Sequence, residues 1–213
     1  MVYAEPQARP AVLRGGPLFR RWLLVVTIGE FLGFSVPAVA GAVTAGWSTL
    51  AALGVILAAG AVEGTALGLA QASVLRQALP GLPARRWVLA TAGGAVLAYV
   101  IGMLPSTLAD RWAELPAAVL ALGGLVLGVA LLATIGTAQW LVLRTVLPRS
   151  ASWIVTTALA WLAGLAVFLV FTMPLWHPGQ PIVLVAAIGA AGGLLMAAVT
   201  SAVTGVALRR LMP

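Results

Sequence analysis

Residues 22–29 (WLLVVTIG), 50–62 (LAALGVILAAGAV), 117–135 and 182–199 contain no charged side chain. Runs of this kind limit what the chain can become. In lipid every backbone N–H and C=O must find a partner within the protein, which leaves helices and closed barrels. A spanning helix needs about 20 mostly apolar residues. The two-residue alternation of a barrel strand is weak here, while Ala, Leu and Gly abound, so the expected elements are helices. Composition agrees: 62% of the 213 residues are hydrophobic and 8% are charged. A soluble domain sits near a quarter charged, so this chain lacks the polar groups to cover a water-facing surface.

Six spans are predicted, at roughly 22–43, 48–79, 87–104, 117–147, 153–173 and 182–210. Prolines punctuate the links: Pro80, Pro83, Pro105, Pro116, Pro148, Pro174, Pro178 and Pro181. All twelve basic residues are arginines. Eleven of them fall at the two termini and the even-numbered links; Arg111 alone falls on the other side. The positive-inside rule therefore places both termini in the cytoplasm, with the protein in the inner membrane of a bacterium whose coding bias favours Ala, Gly, Val and Arg. The net charge of +7 follows from this topology and does not point to nucleic acid. There are no cysteines, which removes disulfides, thiolate metal sites and cysteine nucleophiles. Ala38-Val39-Ala40 after Arg20-Arg21 resembles a signal-peptide cleavage site, but the periodicity described next makes the first span part of the fold.

The chain repeats itself about every 65 residues. "RRWLLV" at 20–25 matches "RRWVLA" at 85–90, and "ASWIVT" at 151–156 is a third copy. The even spans end on "QASVLRQALP", "QWLVLRTVLP" and "TGVALRRLMP", with Arg76, Arg144 and Arg209 equivalent. The units run at approximately 20–80, 85–148 and 151–213, forming a single transmembrane domain over 20–213 behind a flexible cytoplasmic segment, 1–19. The expected architecture is all-α, six transmembrane helices as three two-helix repeats around a pseudo-three-fold axis. Trp22, Trp87 and Trp153 open the odd spans, and Trp47, Trp112 and Trp176 precede the even ones. Both sets are expected at headgroup level as interfacial belts. Small residues recur every fourth position in the even spans: Gly60, Gly64 and Gly68; Gly124, Gly128 and Gly136; Gly189, Gly193, Ala197, Ser201 and Gly205. Such stripes let helices approach closely in lipid. They predict that the three even helices pack together at the centre, with the odd ones outside.

The "AQWLVLR…LP…W" repeat resembles one found in six-helix bacterial membrane proteins, and the likeness covers most of the chain. It implies a membrane fold and carries no activity with it. Three two-helix units are also similar in number to mitochondrial carriers, whose acidic Pro-x-Asp/Glu-x-x-Lys/Arg signature is absent here.

Few side chains within the spans can do chemistry. Glu30 and Glu63 are the two acids there, both near mid-bilayer depth. Ionisable groups at that depth are costly and face the bundle interior or a wet cavity, so the pair is the candidate intramembrane ligand or proton site. Gln71, Gln139 and Thr204 each lie five residues before a repeated arginine. With Arg76, Arg144 and Arg209 they form a candidate anion or lipid-headgroup site at the inner mouth. Five residues turn a helix by about 140°, so both sets cannot point straight at the axis. Residues 106–115 read as a short interfacial helix, and His177 as an ordinary loop histidine. No catalytic set, cofactor motif or metal motif is present, and no cofactor is expected. The expected function is a small transporter, permease or ligand-binding membrane protein. The alternatives are a non-catalytic partner subunit that binds anionic lipid or another membrane protein, and, last, an intramembrane lipid-modifying enzyme.

Overall fold

The computed structural model describes residues 12–112 and 114–212. It contains seven helices: α1 (Gly15–Thr44), α2 (Thr49–Ala78), α3 (Ala84–Thr107), α4 (Ala109–Trp112), α5 (Ala117–Leu143), α6 (Ser152–Thr172) and α7 (Ile182–Leu211). No strand occurs among the described residues. All but the four-residue α4 are long and apolar enough to cross a membrane, with mean hydropathies of 1.9 to 2.5 over their most apolar windows. The expected all-α, six-span chain is therefore what the structure shows.

Local signals set most of the ends. Ser48 caps α2, its side chain accepting from the Ala51 N–H at 3.4 Å, and Pro80-Gly81 follows the helix's last turn. Three boundaries differ from expectation. First, α1 begins at Gly15, so residues 15–19 are helical and continuous with the first span; residues 1–11 lie outside the described residues, as does Pro213. Second, Pro105, expected in a link, lies inside α3; Pro37 lies inside α1, as the predicted first span has it. Each costs one backbone bond, which membrane helices tolerate when neighbours or water satisfy the freed carbonyl. Third, α5 stops at Leu143, four residues short of the expected end, and the chain turns at Arg144–Val146. The predicted interfacial helix contracts to α4.

The helices do not assemble as the glycine stripes predicted. Each span packs on its neighbours in sequence, and α1 closes onto α7, giving a ring in the order α1, α2, α3, α5, α6, α7. No two even spans share an extensive contact among the described residues. The glycines do bring helices together, but between even-numbered and odd-numbered spans. A Cβ at Gly64 would lie 2.8 Å from the Ala92 Cα of α3, and one at Gly136 would lie 3.0 Å from the Ile154 carbonyl of α6. A Cβ at Gly205 would meet the Trp22 ring of α1 at 2.9 Å. Gly124 and Gly128 meet nothing within 4 Å. A small residue on a membrane helix permits close approach on whichever face a neighbour arrives; it does not select that neighbour.

The tryptophans are the second correction. Trp22, Trp87 and Trp153 are fully buried and form no interfacial belt. Trp153 stands between the other two, with ring centroids 6.1 Å from each. Leu18, Leu75, Leu143 and Leu208 complete this core at the arginine-rich end of the bundle. Of the other set, Trp47 is exposed and Trp176 lies edge-on to Phe168 at 6.1 Å.

Candidate functional site

Each buried indole needs an acceptor, because an unbonded N–H in a dry core is expensive. The acceptors are three residues the sequence had marked for another purpose. Trp22 Nε1–H donates to Thr204 Oγ1 at 3.0 Å, Trp87 Nε1–H to Gln71 Oε1 at 3.2 Å, and Trp153 Nε1–H to Gln139 Oε1 at 2.9 Å. Each of the third and fifth spans (α3, α6) is thus bonded to the span before it, and the first (α1) to the last (α7). Gln139 Nε2 adds bonds to Gln71 Oε1 at 2.7 Å and Thr91 Oγ1 at 3.0 Å.

Gln71, Gln139 and Thr204 are buried, whereas Arg76, Arg144 and Arg209 are exposed. The structure therefore separates the six residues expected around one polar mouth, and the 140° turn between the two sets accounts for it. The Arg144 guanidinium stacks over Trp140, 5.0 Å from the ring centroid, and that of Arg209 lies 5.9 Å from the Phe19 ring. Arg76 lines a surface groove between α2 and α3 together with Arg85 and Ser73.

The two intramembrane acids sit in different surroundings. Glu63, on α2, accepts a 2.6 Å hydrogen bond from the Tyr99 hydroxyl of α3. The Tyr99 ring fits over Gly60, one turn from Glu63, where a methyl group would collide with it. Both residues line a partly open cavity of about 390 Å³ to which all six spans contribute: Phe34, Glu63, Tyr99, Leu132, Trp161 and Met196 represent one from each. That volume lies within the range of small-molecule sites. Its walls are otherwise apolar, and Leu67 belongs both to the wall and to the tryptophan-centred core. The core is thus the cavity's floor on the arginine-rich side.

Glu30, on α1, is fully buried and is not part of the cavity wall. It lies within electrostatic reach of Glu63 and beside Thr200 of α7, but neither carboxyl oxygen has a hydrogen-bond partner among the described residues. The helix pairing explains the proximity: Gly33 of α1 crosses α2 at Glu63, where a Cβ would approach the Glu63 carbonyl to 3.0 Å.

Sequence reading missed Tyr99 as a site residue. A phenol inside a span, on the helix that follows the Glu63 helix, was the available signal. No group of three or more His, Cys, Asp or Glu residues able to hold a metal ion occurs among the described residues. Comparisons with protein-family models, with curated proteins and with solved structures find no match.

Proposed function

We propose that this chain binds a small, largely apolar ligand carrying an amine or another hydrogen-bond donor, and that it acts as a permease or ligand-binding protein of the bacterial inner membrane. The observation that carries this reading is the Glu63 carboxylate, held by Tyr99 on the wall of an otherwise apolar cavity. An acid in that place is costly to keep unless it meets a partner. Apolar walls with a few placed polar groups are the usual composition of a small-molecule site. The tryptophan core closes the cavity toward the arginine-rich side, which the positive-inside rule assigns to the cytoplasm, so the ligand enters from the other side or from the bilayer. We also read the three indole bonds as one contact written three times, by hairpins that are copies of one unit.

A binding assay tests this reading. Purified protein in nanodiscs is titrated with a medium-chain alkylamine, with the alkanol of equal length as control. Saturable binding of the amine that Glu63→Gln removes supports it. Equal binding of amine and alkanol, or indifference to Glu63→Gln, contradicts it.

A second reading, the lipid-binding one, has a specific observation in its favour. The α2–α3 groove places Arg76, Arg85 and Ser73 beside Leu69, Ala72, Val88 and Leu89, which matches a phosphate head and the start of an acyl chain. Retention of phosphatidylglycerol over phosphatidylcholine during purification, lost in the Arg76→Gln/Arg85→Gln variant, supports it. Equal retention of the two lipids contradicts it.

A further inference from the structure

Hydroxyls in these helices almost always bond their own backbone. Ser35, Thr44, Thr65, Thr91, Thr107, Thr172 and Thr204 each donate to the carbonyl four residues earlier, at 2.7 to 2.9 Å. This is the default for Ser and Thr in an apolar helix. Thr27 of α1, Thr157 of α6 and Ser201 of α7 depart from it. All three hydroxyl oxygens are buried and have no partner among the described residues. Thr200, beside Ser201, makes only a 3.5 Å contact with the Ala160 carbonyl.

Thr27 and Ser201 lie along the seam that holds Glu30, with Thr200 at its edge. Along the antiparallel α1–α7 pair, Phe34 packs on Gly193 and Trp22 on Gly205. That register sets Glu30 opposite Ala197 and Thr27 opposite Thr200, with Ser201 next along. Two carboxyl oxygens and the hydroxyls of Thr27 and Ser201 therefore lie within about one helical turn of each other along this seam, and Thr200, whose hydroxyl also reaches the Ala160 carbonyl of α6, lies beside Glu30. The groups are all hard oxygen donors, with no nitrogen or sulfur among them. They include a single carboxyl group. No arginine or histidine in the described residues falls within the apolar stretch around that carboxyl group.

We propose that Glu30, Thr27, Thr200 and Ser201 form a binding site for a small monovalent cation, with sodium as the probe ion. One monovalent charge matches the one carboxylate among these groups, and the second carboxylate nearby, Glu63, already accepts from Tyr99 on the cavity wall. A cation at this place would give the buried oxygens of Glu30, Thr27 and Ser201 the partner they lack. The site is separate from the cavity, whose wall does not include Glu30, and it stands or falls independently of the ligand reading.

The experiment is a sodium titration of the purified full-length protein in nanodiscs, in choline chloride at constant ionic strength, read by melting temperature. The expected result is a saturable rise that Glu30→Gln abolishes and that Ser201→Ala moves to about ten-fold higher sodium, the loss of one charge-assisted contact. Glu63→Gln, which removes amine binding on the cavity reading, retains a saturable sodium response. No response in the wild type overturns the proposal and leaves Glu30 neutralised by a proton or hydrated. A response kept in Glu30→Gln overturns it, and one also lost in Glu63→Gln assigns the ion to the cavity. Should Glu30→Gln fail to fold, Ser201→Ala decides alone: an unchanged midpoint overturns the proposal.

Discussion

The Tyr99 hydroxyl reaches across from α3 to donate to the Glu63 carboxylate of α2 over 2.6 Å, 36 residues away in sequence. The bond joins the cavity's acid to a second helix and fixes where that acid points. Removing one partner leaves the other buried and unsatisfied, which costs about 1–3 kcal/mol. Tyr99→Phe is expected to lose stability in this range, as is Glu63→Leu. The double variant is expected to lose less than the sum of the two, because the shared contact disappears once. A double-mutant cycle by detergent unfolding checks this; additive losses would show that the two groups are not coupled.

Gln139 bonds Trp153, Gln71 and Thr91 at once. Gln139→Leu strands an indole N–H and cuts two further bonds, and is expected to cost about 2–4 kcal/mol. Arg144→Ala, five residues on and exposed, is expected to cost about 0.5 kcal/mol or less. Chemical unfolding of the two variants under one condition compares them directly. Comparable losses would mean that the buried network holds little of the fold.

Glycines of one stripe type separate by what they touch. Gly64→Ala forces a methyl group against the α3 backbone at Ala92 and is expected to destabilise by about 1–3 kcal/mol. Gly124→Ala meets nothing within 4 Å and is expected to be neutral, or stabilising by up to about 1 kcal/mol through helix propensity. Melting temperatures of the pair distinguish close packing from mere repetition of small residues.

The arginine asymmetry predicts that reporters fused to the N-terminus and to the C-terminus both report a cytoplasmic location. Neutralising Arg20, Arg21, Arg85 and Arg86 together is expected to produce a mixed orientation. Reporters on opposite sides in the unaltered protein would contradict the six-span topology.

The spans were legible because hydrophobic length is read from composition alone, and the structure places all six close to where the runs lie. Their order around the ring was not legible. The stripe at Gly60, Gly64 and Gly68 announces close packing but does not name the helix that arrives, and that helix is α3 rather than α5 or α7. Trp22, Trp87 and Trp153 misled for a related reason. An indole is equally suited to headgroups and to a core that supplies an acceptor, and only the fold decides between them. The decisive hint was Gln71, Gln139 and Thr204 recurring at matched positions, which sequence reading assigned to an anion. The depths of Glu30 and Glu63 were readable from helix arithmetic. Their different surroundings were not, because these depend on Tyr99 and Thr200 arriving from α3 and α7.

The cavity is the feature on which the functional account rests, and a chain without native cysteines allows it to be probed one position at a time. Ala98 lines the cavity beside Tyr99, whereas Ala160 is fully buried outside it. Ala98→Cys is expected to react with a small membrane-permeant maleimide in the folded protein and to be protected by a medium-chain alkylamine, while Ala160→Cys stays inert. A cysteine at 98 as unreactive as that at 160, or labelled equally with and without the amine, would contradict the account.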